Sequence, residues 1–487
     1  MHGPSRVSQP QGTRVRSTLR QNPDRAQASW IPISIFAAGE IVPSRRPKSH
    51  KKPSYVRMTK RRGRRLAAEP GQDRAEPAAP VARTSDAATH TRISYFFFFL
   101  FLLIPIVSIA VYRLKYPPTH THTVLSVLER GLVKPNIGFQ EIIAENSKAS
   151  ENTSFRHFPH PVLAYVTPWN SKGYEMSKRF TPKITHLSPV WYNLKSDGSQ
   201  LLLEGRHNAD TGWISELRRN GNSLVLPRVV LEALPNQLLR KKKQWKKAID
   251  LITTECKEIG YDGIVLESWS RWAGYGVLHD PDMRSMALQF IKQLGQDLHS
   301  VRSERNSNLP LQLVFVIAPP SSENLEKHDF GLEDFQSLRD DVDGFSLMTY
   351  DFSGPQRPGP NAPLNWIRSS LQLILGNTDD GARNHALKIF LGINFYGNDF
   401  VLSGGSGGGA ITGKEYLSLL KKHKPVLQWK EDIAEHFFLY SEDHIRHAVF
   451  YPSLLSIYMR LAEARKWGVS LSIWEIGQGL DYFFDLL

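Results

Sequence analysis

Between residues 161 and 487 the sequence alternates short apolar, often β-branched runs with longer amphipathic stretches. That alternation limits the fold more than any other feature. The short runs are Val162 to Val166, Ile184 to Val190, Leu224 to Leu231, Gly263 to Glu267, Leu311 to Ile317, Gly344 to Met348, Lys388 to Ile393 and Val469 to Ile473. Stretches such as Gln244 to Ile259 and Arg284 to Val301 lie between them, with apolar residues at helical spacing. Strands that alternate with helices join as parallel βαβ units, because a parallel neighbour is reached only by a crossover. Eight such units in about 330 residues predict an α/β fold closed into a (β/α)8 TIM barrel, with a small insertion between strands seven and eight. An open doubly wound sheet is the rival. It would announce itself with a Gly-rich first turn, and the first strand runs instead into Thr167-Pro168-Trp169-Asn170.

The region before the barrel has a different texture. Residues 1–92 carry 19 Lys and Arg against 6 Asp and Glu, which accounts for all but one unit of the net charge of +14. This segment lacks apolar periodicity and reads as a disordered basic tail. The folded part is close to neutral, which argues against nucleic acid as its partner. Residues 93–112 carry no charge, are about the length that crosses a bilayer as a helix, and follow the basic tail. They read as a transmembrane signal anchor with a cytoplasmic N-terminus and a lumenal or extracellular barrel. A cleaved signal, giving a secreted or lysosomal or vacuolar protein, is the alternative. Met58 offers a second possible start. Residues 113–160 read as a stalk or linker, and Asn152-Thr153-Ser154 is a glycosylation sequon on its lumenal side. The single cysteine, Cys256, leaves no intrachain disulfide, so packing must carry the fold. No His and carboxylate cluster has ligand spacing, so neither metal nor cofactor is expected. Gly404 to Gly409 lacks the Lys-Ser or Lys-Thr pair of a phosphate cradle and reads as a loop.

Function in a barrel of this kind gathers at the C-terminal ends of the strands. Those ends carry Trp169, Trp191-Tyr192, Glu267-Ser268-Trp269, Met348-Thr349-Tyr350-Asp351, Phe395-Tyr396 and Trp474-Glu475. Sugar rings stack their C–H faces on aromatics and need acids and amides for their hydroxyls, so such a rim suits an oligosaccharide. The candidate saccharide-binding residues are Trp269, Tyr350, Asp351, Trp474, Glu267, Tyr396, Trp191 and Trp169.

Several of these segments resemble a known family. Leu347-Met348-Thr349-Tyr350-Asp351 is similar to the sixth-strand motif of glycoside hydrolase family 18, the chitinases and chitinase-like lectins. Leu391 to Gly397 and Ser472-Ile473-Trp474 resemble its seventh and eighth strands. The resemblance runs from Val162 to the C-terminus and implies a barrel that takes chitin-type N-acetylglucosamine oligosaccharides.

Active members of the family carry Asp-x-x-Asp-x-Asp-x-Glu on the fourth strand, the final Glu protonating the leaving oxygen while the substrate acetamide attacks. Here the segment reads Asp262-Gly263-Ile264-Val265-Leu266-Glu267-Ser268-Trp269. By the resemblance, Trp269 stands where the acid should be and Glu267 replaces the third Asp. Side chains alternate along a strand, so Val265, Glu267 and Trp269 are expected on one face, with Trp269 at the mouth. Glu267 would lie roughly 6.6 Å below the acid position. The expectation is binding without hydrolysis. Two alternatives stand beside it: an active glycosidase using Glu267, with Tyr350 and Asp351, and a scaffold for another protein.

Overall fold

The computed structural model describes residues 96–115 and 125–487, apart from short stretches at 149, 199, 304, 306–307, 321–323, 377–380 and 403–406. Eight parallel strands form the barrel. They are β1 (Val162–Val166), β2 (His186–Asp197), β3 (Arg228–Leu231), β4 (Gly263–Glu267), β5 (Gln312–Ile317), β6 (Gly344–Leu347), β7 (Ile389–Asn394) and β8 (Ser470–Trp474). Each pairs with its successor, and β8 pairs with β1, which closes the sheet.

Alternation along the strands divides the core into two layers. Leu163, Tyr165, Val265, Val314, Val316 and Phe390 point into the barrel, with Met348 and Trp474 packed above them. The intervening residues, such as Ala164, Leu266, Phe315, Leu391 and Ile473, face the surrounding helices in a much larger apolar layer. The helices Lys242–Ile259 and Pro281–His299 bury one stripe each in that layer, through Trp245, Ile249 and Ile252 and through Phe290, Ile291 and Leu294. At the start of β4, Gly263 has φ +145°, and a Cβ there would fall 2.1 Å from the Gln312 carbonyl oxygen. Only glycine lets β4 approach β5 in this way.

The insertion between β7 and β8 is a five-stranded antiparallel sheet, ordered Gly407–Ile411, Gly397–Val401, Ile445–Phe450, Glu435–Glu442 and Gln428–Lys430. It carries one helix, Gly413–His423. Part of the Gly-rich stretch forms its edge strand, and residues 404–406 lie outside the described residues.

Two expectations for the N-terminal part need correction. The segment expected as a linker is part of the barrel unit from residue 125 onward. Val127, Ile142 and Phe158 are buried in the outer layer. Arg130 pairs with both Glu145 and Asp485, and the Ser150 hydroxyl donates to Asp485 at 2.6 Å. These apolar side chains are too widely spaced to register as a periodic signal, yet together they strap the segment to the last turn of the chain.

The second correction concerns the expected transmembrane helix at 93–112. Among the described residues no helix is long and apolar enough to cross a membrane. The helical run divides into a π turn, Phe99–Leu103, and an α-helix of 12 residues, Ile104–Lys115. Residues 96–98 are also α-helical, so the run from 96 to 115 is helical throughout but is interrupted by the π turn, and no single α-helix in it meets the length of a span. Its apolar side chains are exposed, Phe101 and Ile109 among them. Residues 1–95, which include the basic tail, Met58 and the first three residues of the expected anchor, and residues 116–124 lie outside the described residues.

Candidate functional site

At the C-terminal end of the barrel the inward positions of β1, β3, β4, β6 and β8 converge. Arg228, the first residue of β3, lies beside β4 in register with Val265, one inward step below Glu267. Its Nε donates to Glu267 Oε2 at 2.6 Å, and Nη2 meets the same oxygen. Both side chains are largely buried, with exposures of 11% and 9%. The guanidinium also lies 5.4 Å from the centre of the Trp474 ring, a cation–π contact. Trp474 in turn leans on Tyr165 at 5.1 Å and runs nearly parallel to Tyr350 at 6.4 Å.

The floor beneath is polar. The Tyr165 hydroxyl donates to Ser346 Oγ at 2.8 Å, and Ser346 Oγ donates onward to Ser472 Oγ at 3.4 Å. Burial pushes the Tyr165 and Tyr350 hydroxyls well above the usual phenol range, so both stay neutral. Beside them, the Tyr396 hydroxyl donates to Asp351. Asp351 is exposed on the rim in the left-handed region at φ +60°, its N–H donating to Asn361 Oδ1 at 3.0 Å. Trp169, after β1, is 54% exposed at the same end of the barrel.

Two expected rim residues are elsewhere. Trp269 is buried in the outer layer. Its indole N–H donates to the His328 carbonyl at 3.1 Å, and its ring meets Phe330 and Phe315 edge-on. The cause is local. β4 stops at Glu267, Ser268 leaves the extended region at φ −149° and ψ −27°, and a short helix begins at Trp269. Two-residue alternation ends with the strand, so Glu267 keeps the inward face and Trp269 does not. Trp191 is likewise buried, donating to the Tyr174 hydroxyl at 2.9 Å and packing against Trp213. The register shift between Val190 and Tyr192 and the continuation of β2 to Asp197 leave Trp191 in mid-strand on the outer face.

Glu475 is completely buried. Its peptide bond to Trp474 is cis. Its Oε2 accepts from Asn170 Nδ2 at 2.7 Å, and Gly173 lies against Oε1. Burial lifts its carboxyl to about 7, opposed by the Asn170 hydrogen bond and by backbone N–H groups of Gly477 and Thr167. It therefore ties the end of β8 to the Trp169 loop behind the mouth. Asn152 sits in a turn in which Phe155 N–H donates to its side-chain oxygen at 3.0 Å. Among the described residues no group of three or more His, Cys, Asp or Glu could hold a metal ion.

Arg228, Tyr165 and Ser346 complete the mouth but were not among the expected binding residues. Tyr165 was available from alternation with Leu163. Arg228 was available as the one cation in the third apolar run, at a position that faces inward only if β3 starts there.

The profile of glycosyl hydrolases family 18 matches residues 234–479, and the chain belongs to that family. It is similar to the uncharacterized glycosylase YvbX of Bacillus subtilis (strain 168), 24% identical over 259 residues that cover 52% of this chain and 68% of the relative. Among solved structures it resembles a chitinase from Chromobacterium violaceum ATCC 12472, with a TM-score of 0.55 and 20% identity, over 67% of this chain and 98% of that one. The Bacillus cereus spore cortex-lytic enzyme SleL gives 0.53 and 19%, over 69% and 75%. A Cycas revoluta chitinase in complex with (GlcNAc)3 gives 0.53 and 14%, over 67% and 97%. At these identities the structural likeness concerns the fold.

Proposed function

We propose that the barrel binds N-acetylglucosamine oligosaccharides at its mouth and does not hydrolyse them. The carrying observation is the end of β4. Trp269, at the position of the family's acid, is turned into the outer layer, and Glu267 spends one oxygen on two N–H groups of Arg228. A carboxylate held in this way accepts hydrogen bonds and is poorly placed to deliver a proton. Glu475 has a raised pKa but is sealed behind the loop at 167–173. The aromatic surface remains, with Trp474 at its centre and Trp169 on the rim. The complex of the Cycas revoluta chitinase with (GlcNAc)3 makes a ligand of this class reasonable for the same fold. Within the family, the segments Tyr165 to Asn170, Asp343 to Asp351 and Pro358 to Leu364 resemble the stabilin-interacting, chitinase-like branch.

Titration calorimetry of the full-length protein with chitin oligosaccharides, with product analysis of the same sample, tests this reading. Heat of binding with intact sugar is the expected result. Turnover that disappears in Glu267→Gln would establish a glycosidase instead. Absence of binding to any glycan would leave the scaffold reading.

An endomembrane location of the barrel is supported by the basic stretch and the uncharged run that precede it in the sequence, and protease protection of the barrel in sealed microsomes tests it.

A further inference from the structure

A run of cations that the mouth does not use stands where the helix Lys242–Ile259 begins. Arg240, Lys241, Lys242, Lys243, Lys246 and Lys247 fall within eight residues. All are exposed except Lys247, which is half-buried. Trp245, Ala248 and Ile249 take the buried side of the helix, which leaves the lysines on the outer side. Four acids of this helix and of its neighbours are engaged elsewhere. Glu204 and Glu232 pair with Lys195, Glu232 also with Arg271, and Glu255 and Glu258 with Arg206. Lys242 rests on the Trp245 ring, 3.3 Å from its centre.

Helix stability alone does not account for this arrangement. Lys242 and Lys246, and Lys243 and Lys247, are like charges four residues apart, which repel. Cations in a first helical turn also oppose the helix dipole. The location has a functional sense. In a βα unit the helix starts at the C-terminal end of the preceding strand, so this run lies on the mouth side of the barrel, after β3 and its Arg228.

We propose that residues 240–247 form a second binding surface, for the sulfate groups of an acidic polysaccharide that reaches the rim of the mouth. This inference rests on the reading of the mouth as a glycan site. Two other polyanions fit less well. The run presents no exposed aromatic on which a nucleic-acid base could stack, because Trp245 is buried. It presents no exposed apolar side chain to insert among lipid headgroups.

The test is lysine-acetylation footprinting of the full-length protein with a heparin-derived sulfated octasaccharide, read residue by residue so that the basic tail is scored separately. Protection of Lys243, Lys246 and Lys247 is expected. Combined Lys241→Gln, Lys243→Gln, Lys246→Gln and Lys247→Gln, which spares Lys242 on its tryptophan, should weaken octasaccharide binding about tenfold, from three exposed charge contacts and one half-buried one. The same variant should bind neutral N-acetylglucosamine oligosaccharides as the wild type does. Protection confined to the tail would overturn the proposal, as would protection by phosphatidylserine vesicles but not by the octasaccharide. If the octasaccharide protects the run while neutral oligosaccharides fail to bind, the mouth reading falls and the basic surface stands.

Discussion

Replacing Glu475 by Gln should stabilise the protein above neutral pH and remove a pH dependence that the native chain carries. Glu475 is fully buried, with Asn170 on one oxygen and Gly173 against the other. Its folded carboxyl titrates near 7, and in the unfolded chain near the usual 4.5. Between those values the folded state keeps a proton that the unfolded state has released, so stability falls as pH rises. At 1.36 kcal/mol per pH unit the gap amounts to about 3 kcal/mol, fully present below pH 4.5 and lost once pH has passed the folded value. Gln is neutral throughout, and its carbonyl can still accept from Asn170. The native protein and Glu475→Gln should therefore be nearly matched at pH 5 and separated by most of that amount at pH 8. Urea-unfolding midpoints of both proteins at four pH values between 5 and 8 measure this directly. Taking the difference between the two cancels other titrating groups, such as His186. A constant difference across that range, or one that favours the native protein as pH rises, would refute the burial argument for Glu475.

The Arg228–Glu267 pair should behave as a buried ion pair. Glu267→Ala strands the guanidinium and should cost about 3–5 kcal/mol, whereas Arg228→Met with Glu267→Met should recover most of the loss in a calorimetric melt. Trp474→Ala should abolish titration heat with N-acetylglucosamine oligosaccharides. Trp269→Phe should leave that heat unchanged and lower the melting temperature through its lost hydrogen bond to His328, worth roughly 1 kcal/mol. Trp269→Glu should yield no chitin hydrolysis, because the new carboxyl would enter the outer apolar layer. Product release from this variant would mean that β4 extends further than Glu267.

The difference between what was legible in the sequence and what was not follows from strand pairing. All eight strands and the insertion could be read from period and composition, because both record which side chains face an apolar layer. Five of the eight expected mouth residues, Glu267, Tyr350, Asp351, Tyr396 and Trp474, lie together there, and Trp169 stands exposed at the same end. The failures share one cause. Counting two residues past Glu267 gives Trp269 the inward face, but pairing with β5 ends at Glu267, and beyond it Ser268 turns the chain into a helix. A strand end at Trp191 would place it on the rim, but β2 shifts register at that point and runs on. Alternation carries information only as far as the hydrogen-bond ladder does, and catalytic acids in barrels sit where the ladder stops. A substitution at such a position therefore removes a functional group and also decides where the next few side chains go. At the end of β4 the strand's stop at Glu267, the outward turn of Trp269 and the pairing of Glu267 with Arg228 occur within three residues of one another.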